Sequence, residues 1–290
     1  MLRINTDYFY LLTALLCWGI ASFFSIKKKE KKAIIFQSVS IFILGLFIVG
    51  LWLTLQRPPF KTMGETRIWY AFFLSLMGLM TYWRWKMDYL LVFTNLLAVV
   101  FLLINICKPE IQSQVLMPAL QSVWFIPHVA TYMFAYAVIG CAFVLAVLEL
   151  LLTAKNAKKV QRMTNLNSCS CALCENSLRS LRLNILIGIG TCALGLGLCL
   201  GALWAKKAWG QYWSWDIKET AALITWAIFL LYSHLQKFRN INRKFLLILI
   251  IIGFLSLNFT WYGVKYFPTA QKSTHTFYDS TSYIGNLGFK

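Results

Sequence analysis

The stretch WGQYWSWDIKETAALITW, residues 209–226, decides how the chain is read. It brings Trp209, Trp213 and Trp215 together with Asp216, Lys218 and Glu219 directly ahead of an apolar run. Indole rings at the head of an apolar helix are at home where a membrane meets water, so an interfacial anchor is the plain reading. Two carboxylates among the rings call for donors such as indole N–H groups, backbone amides or Lys218. That company favours an ordered aromatic platform, suited to a planar apolar cofactor.

Outward from this stretch, apolar residues make up 59% of the 290 and charged ones only 13%, which takes the chain out of the soluble globular range. A hydrocarbon core of about 30 Å needs about 20 apolar residues per helical crossing. Windows of that kind recur along the chain, and they predict an all-α integral membrane protein: one polytopic domain, residues 1–290, forming a bundle of about eight transmembrane helices. The expected spans are 8–26, 33–54, 68–83, 88–107, 129–153, 183–204, 219–235 and 245–264. All are read as helices, because in lipid each backbone polar group must find its partner within the segment. The first span leads into KKKEKK and not into a small-residue cleavage site, so it is read as a retained helix.

Lys and Arg sort unevenly between alternate connections, 17 on the side of KKKEKK and QKFRNINRK against 11 on the other. Basic loops stay inside, which puts both termini and the tryptophan loop outside. The net charge of +18 is then mostly a topological signal, and no nucleic acid is needed as a partner; membrane lipid is. The outer surface comprises RPPFKTMGETR, the segment ending in IPHV, the tryptophan loop and the tail from Lys265. The inner side holds basic connectors and one longer loop, 154–182, with CSCALC at Cys169–Cys174. In the sixth span Ala193, Gly197 and Gly201 recur at intervals of four, a spacing that allows close helix approach and is also simply tolerated in membrane helices.

Chemistry is sparse. The three histidines are His128, His234 and His275. His128 follows Pro127 at the outer start of the fifth span, and His275 lies in the outer tail. Together they are either interfacial hydrogen-bonding residues or ligands of a metal or heme. His234 stands fifteen residues beyond Glu219, roughly 22 Å deeper at 1.5 Å per residue, and cannot reach the other two. Its apolar stripe suits a flat hydrophobic ligand or a partner helix, while Lys237 and Arg239 beside it also suit a helix-end residue. The cysteines do not form an exported disulfide pattern, CxCxxC without a fourth ligand is a weak zinc signal, and none leads into a CxxCH heme-attachment motif. No phosphate loop or nucleophile triad is present.

These residues resemble the tryptophan-rich WWD signature of the heme-handling protein superfamily, and within it the CcsA (ResC) family of cytochrome c biogenesis proteins. The resemblance runs through RPPFKTMGETRIWY, IPHVATYMFAYA, the tryptophan loop, LLYSHLQKFR and FTWYGVKYF; Ile217 and Ala221 stand where the family commonly has proline and tryptophan. It implies a heme-handling subunit of a cytochrome c synthase, with heme b as cofactor and a CcsB/ResB-type membrane subunit and apocytochrome c as partners. The iron ligands it implies are His128 and His275 for an outer heme against Trp209, Trp213, Trp215, Asp216 and Glu219, and His234 for an inner, membrane-embedded heme. Arg57, Lys206 and Lys207 are candidates for the propionates. No residue of the chain is expected to act as a nucleophile, since positioning alone can bring thiols to vinyl groups. The expected place is the bacterial cytoplasmic membrane with the loop on the periplasmic side, or else the thylakoid membrane. The alternatives are CcmC-like delivery of heme to a periplasmic chaperone, against which eight spans argue, a di-heme electron carrier, which needs four histidines, and a transporter or scaffold without cofactor.

Overall fold

The computed structural model describes residues 2–107, 122–160, 169–238 and 240–266, with side chains for these except 2–8, 152–177 and 265. Among the described residues there are no strands. The described residues form eight α-helices: α1 Leu2–Ile26, α2 Glu30–Leu55, α3 Met63–Trp85, α4 Asp88–Cys107, α5 Phe125–Val160, α6 Cys169–Trp209, α7 Ile217–Leu235 and α8 Arg243–Asn258. A π-helical turn, Phe259–Gly263, and a 3-10 turn, Val264–Tyr266, extend α8. Six helices, α1, α2, α4, α5, α6 and α8, contain a window long and apolar enough to cross a membrane. The corresponding windows of α3 and α7 are diluted by Glu65 and Arg67 in one and by Lys218, Glu219 and His234 in the other.

Several helices outrun their expected ends, for one physical reason. Hydropathy stops where lipid stops, whereas i to i−4 hydrogen bonding continues wherever the residues permit it. Thus α5 runs past 153 to Val160 and α6 begins at Cys169, so that CSCALC is the first turns of a helix and not part of a loop.

The helix most enclosed by the others is α5, which packs against α3, α4, α6 and α8. Its segment from Ala135 to Cys141 is buried at every position, and Gly140 is crossed by the Tyr70 side chain of α3: a Cβ there would lie 2.7 Å from the Tyr70 hydroxyl. On its other side α5 meets α6, where Ile139 fills the space above Gly190. Helix α7 rests on α6 and α8, and α1 and α2 close the bundle beside α3 and α4.

Several polar groups inside the bundle pair with one another between helices, the arrangement that lipid favours. Gln37 and Asn95 exchange two amide hydrogen bonds of 2.9 Å between α2 and α4, and Asn95 also donates to Ser22 of α1. At the end of the bundle where α8 begins, Arg243 donates to both oxygens of Glu149 of α5 at 2.8 and 2.9 Å, and to Ser180 of α6. One turn along α6, Asn184 accepts from Tyr232 and donates to Gln236, both at 2.7 Å. Four helices are thereby tied together at the end where α7 carries His234.

Two ion pairs among the described residues differ in exposure, and so in worth. Glu149 is 6% exposed beside an Arg243 that is 32% exposed, whereas Glu30 and Lys86 are 48% and 50% exposed. Glu149→Ala leaves a partly buried guanidinium uncompensated and is expected to cost about 2–3 kcal/mol. Glu30→Ala is expected to cost under about 1 kcal/mol. Unfolding of the purified variants in mixed micelles measures both, and equal losses would contradict this ranking.

Candidate functional site

The loop before α7 is held by its own carboxylates. Helix α6 ends where Gly210 takes φ +81, a left-handed turn that suits glycine, and its N–H donates to the Lys206 carbonyl at 3.0 Å. Asp216 then caps α7, its Oδ1 accepting from Ile217 N–H at 2.7 Å, and Glu219 completes a capping box. The same Glu219 oxygen accepts from the backbone N–H of Ser214 at 2.8 Å, the Ser214 hydroxyl at 3.2 Å and the Asp216 N–H at 3.3 Å. Both carboxylates are thus engaged with loop backbone, which fixes the turn that carries the indoles. The cue was in the sequence: D-x-x-E before an apolar run is a helix-start pattern.

Between these anchors Trp215 sits at φ +57, a region costly for a bulky side chain, and its ring is 71% exposed. Trp213 meets it edge to face at 5.8 Å. The Trp213 indole nitrogen is shielded from solvent and has no hydrogen-bond partner.

Across from the loop, α5 and α6 build the second part of the site. Phe125, Trp204 and Trp209 form a run of rings, with Trp204 5.3 Å from Phe125 and 4.7 Å from Trp209. His128 stacks on Trp204 at 5.7 Å with an 18° tilt, and Tyr132 meets it edge-on at 4.8 Å. The imidazole Nδ1 lies 2.9 Å from the Gly197 carbonyl. A carbonyl only accepts, so this contact takes the proton of Nδ1; in the neutral ring the lone pair is then on Nε2, the form of imidazole that can ligate a metal. Tyr132, Phe125 and the glycines facing them went unremarked as site residues; the four-residue spacing of Gly197 and Gly201 was the available signal.

His234 is at the other end of α7, exposed on its outward face, with Phe238 5.3 Å away. Ile224, Leu230 and Leu231 are exposed on the same side. The structure keeps His234 apart from the outer rings, and His275 lies outside the described residues. Among the described residues no three His, Cys, Asp or Glu side chains gather as a metal cluster.

The outer basic residues have mixed commitments. Arg57 gives both terminal nitrogens to Glu65 at 2.8 and 2.9 Å, and Glu65 is fully buried. Burial, followed by the neighbouring Arg57, pushes the Lys61 ammonium below its usual range. Lys206 donates to the Gly210 carbonyl at 2.8 Å and lies over the Tyr212 ring, while Lys207 is exposed.

If Asp216 acts chiefly as a cap, Asp216→Asn should retain the loop, because asparagine caps as well as aspartate. Asp216→Ala should lose about 1 kcal/mol of local protection. Hydrogen exchange over residues 211–220 reads the difference; equal loss in both variants would assign the role to charge.

Comparison with known proteins is consistent along the whole chain. Residues 8–270 match the family described as Cytochrome C assembly protein. The Cytochrome c biogenesis protein CcsA of Solanum tuberosum is 30% identical over 250 residues, covering 78% of this chain and 80% of that protein. CcsA of Lactuca sativa is 31% identical over 258 residues, covering 76% and 78%. Among solved structures, the Cytochrome c Heme Lyase CcmF superposes with a TM-score of 0.64 over 89% of this chain at 13% identity, a likeness of fold. The chain spans 46% of that larger protein. With its six apolar spans and its match over residues 8–270, this multi-pass membrane protein belongs to the cytochrome c assembly family, is of the CcsA type, and has a role in cytochrome c maturation.

Proposed function

We propose that the chain is the heme-handling subunit of a cytochrome c synthase, holding heme b for attachment to the CxxCH motif of apocytochrome c. The observation that carries this reading is the His128 ring, seated on Trp204 with Nδ1 on the Gly197 carbonyl, so that its ligating Nε2 belongs to an aromatic site. A neutral imidazole with its second nitrogen on a carbonyl is the usual form of a histidine that ligates iron. Stacked indoles offer the flat apolar surface that a porphyrin face requires. The residues present therefore fit heme.

In this reading His128 and His275 would hold the heme iron, and Trp204, Trp209, Trp213 and Trp215 would offer the aromatic surface for the ring. Asp216 and Glu219 serve by fixing the loop. Lys207 and Lys61 are better placed than Arg57 to meet propionates, since Arg57 is already paired with Glu65. Bound heme would supply two vinyl groups as the acceptors for two thiols. The chain's own contribution is orientation and protection of the site, with both termini and the tryptophan loop on the outer, periplasmic or lumenal side.

His234 belongs to a second, deeper position. It is exposed on α7 and roughly 20 Å from the outer histidine along the helix axis, at 1.5 Å per residue, so its axial mate must come from another chain. A CcsB/ResB-type subunit with a histidine on a facing helix supplies that chemistry.

Heme content tests both positions at once. His128→Gly and His275→Gly should each abolish cytochrome c maturation and lower outer heme, with added imidazole restoring part of it. His234→Ala should remove only the heme that appears on co-expression with the partner. Unchanged heme in all three variants would overturn the assignment, and a purified chain that carries no Soret band in any combination would favour a scaffold without cofactor.

A further inference from the structure

Helices α5 and α6 run antiparallel, and three pairs mark their register. Gly201 faces His128, Gly197 faces Tyr132, and Gly190 faces Ile139. Each step inward along α5 is matched by an equal step back along α6, so the glycines form a groove into which successive α5 side chains fit. The fit is tightest at the histidine. A Cβ added at Gly201 would stand 2.7 Å from His128 Cε1 and 2.9 Å from Nδ1, where real Cβ atoms are essentially never found. At Gly197 it would stand 3.2 Å from the Tyr132 ring.

The same turn of α6 supplies the hydrogen bond. The Gly197 carbonyl that receives His128 Nδ1 is one helical turn before Gly201, so the missing Cβ at 201 is what lets the ring come down onto the oxygen at 197. A ring that could not descend would be lifted off the carbonyl and off the Trp204 face together. Loss of that hydrogen bond would free the ring to rotate and to exchange tautomers, and would remove electron density from Nε2.

Resting on the proposed outer heme site, we infer that Gly201 and the Gly197 carbonyl are positioning residues for His128: Gly201 by lacking a side chain, Gly197 by fixing Nδ1, so that Nε2 is oriented to ligate iron. Neither touches the heme. Gly188, on the same helix, is the natural control, because a Cβ there meets nothing within 4 Å.

The test uses the full-length chain purified from membranes together with its partner subunit, in a His234→Ala background so that only outer heme is counted. Chain abundance, heme per chain and axial-ligand spectra are measured for Gly201→Ala, Gly188→Ala, His128→Gly and the double variant His128→Gly/Gly201→Ala. Gly201→Ala should retain heme about tenfold less tightly, the scale on which supporting groups around a ligand act. Its residual heme should lose the low-spin bis-imidazole signature, and Gly188→Ala should match the parent. The double variant should be no worse than His128→Gly alone, because without the ring the added methyl has nothing to displace. Parental heme and spectrum in Gly201→Ala, with His128→Gly defective, would overturn the inference and leave the heme reading standing. An unaffected His128→Gly would overturn the reading beneath it. Should Gly201→Ala fail to accumulate, recovery in the double variant supports the clash with the ring, and no recovery refutes it.

Discussion

The setting of His128 depends on the close antiparallel seam between α5 and α6. In lipid there is no hydrophobic gain from helix contact itself, so association rests on shape and on hydrogen bonds between helices. This seam supplies both: glycines at 190, 197 and 201 receive side chains from α5, and the His128–Gly197 hydrogen bond crosses it. Trp204 lies one turn beyond Gly201 on the same helix, so packing α5 on α6 also brings the imidazole onto the indole. The tryptophan loop then begins where α6 stops, at Gly210, which links loop placement to the same helix.

A second constraint acts at the opposite end of α7. Arg243, Glu149, Ser180, Asn184, Tyr232 and Gln236 join α5, α6, α7 and α8 through side chains alone. Tyr232 faces inward into this network, and that orientation turns His234, two residues on, toward the outside of the bundle. One helix therefore carries a capped aromatic loop at one end and an outward imidazole at the other, the two held in fixed relation by its 19 residues.

Much of this was legible in the sequence because lipid imposes a simple rule on composition. The apolar windows revealed the all-helical membrane class. Helix ends were less legible: CSCALC was expected in a loop, since hydropathy marks the lipid boundary and carries no information about where backbone hydrogen bonding ends. The histidine and tryptophan candidates stood out by type. The carboxylates of Asp216 and Glu219 were expected against the cofactor, yet the geometry binds them to the loop backbone, as their capping-box spacing had indicated. The match between Gly201 and His128 could not be read, because the register of two helices is a property of their packing; only the glycine spacing hinted that something would come close.

The account turns on which nitrogen of His128 is available for iron. A high-resolution cryo-electron microscopy map of the chain with its partner and heme addresses this directly. The account predicts iron on Nε2 of His128, with Nδ1 still within hydrogen-bond reach of the Gly197 carbonyl. Iron on Nδ1, or a heme bound outside the aromatic site formed by Trp204 and the tryptophan loop, would contradict it.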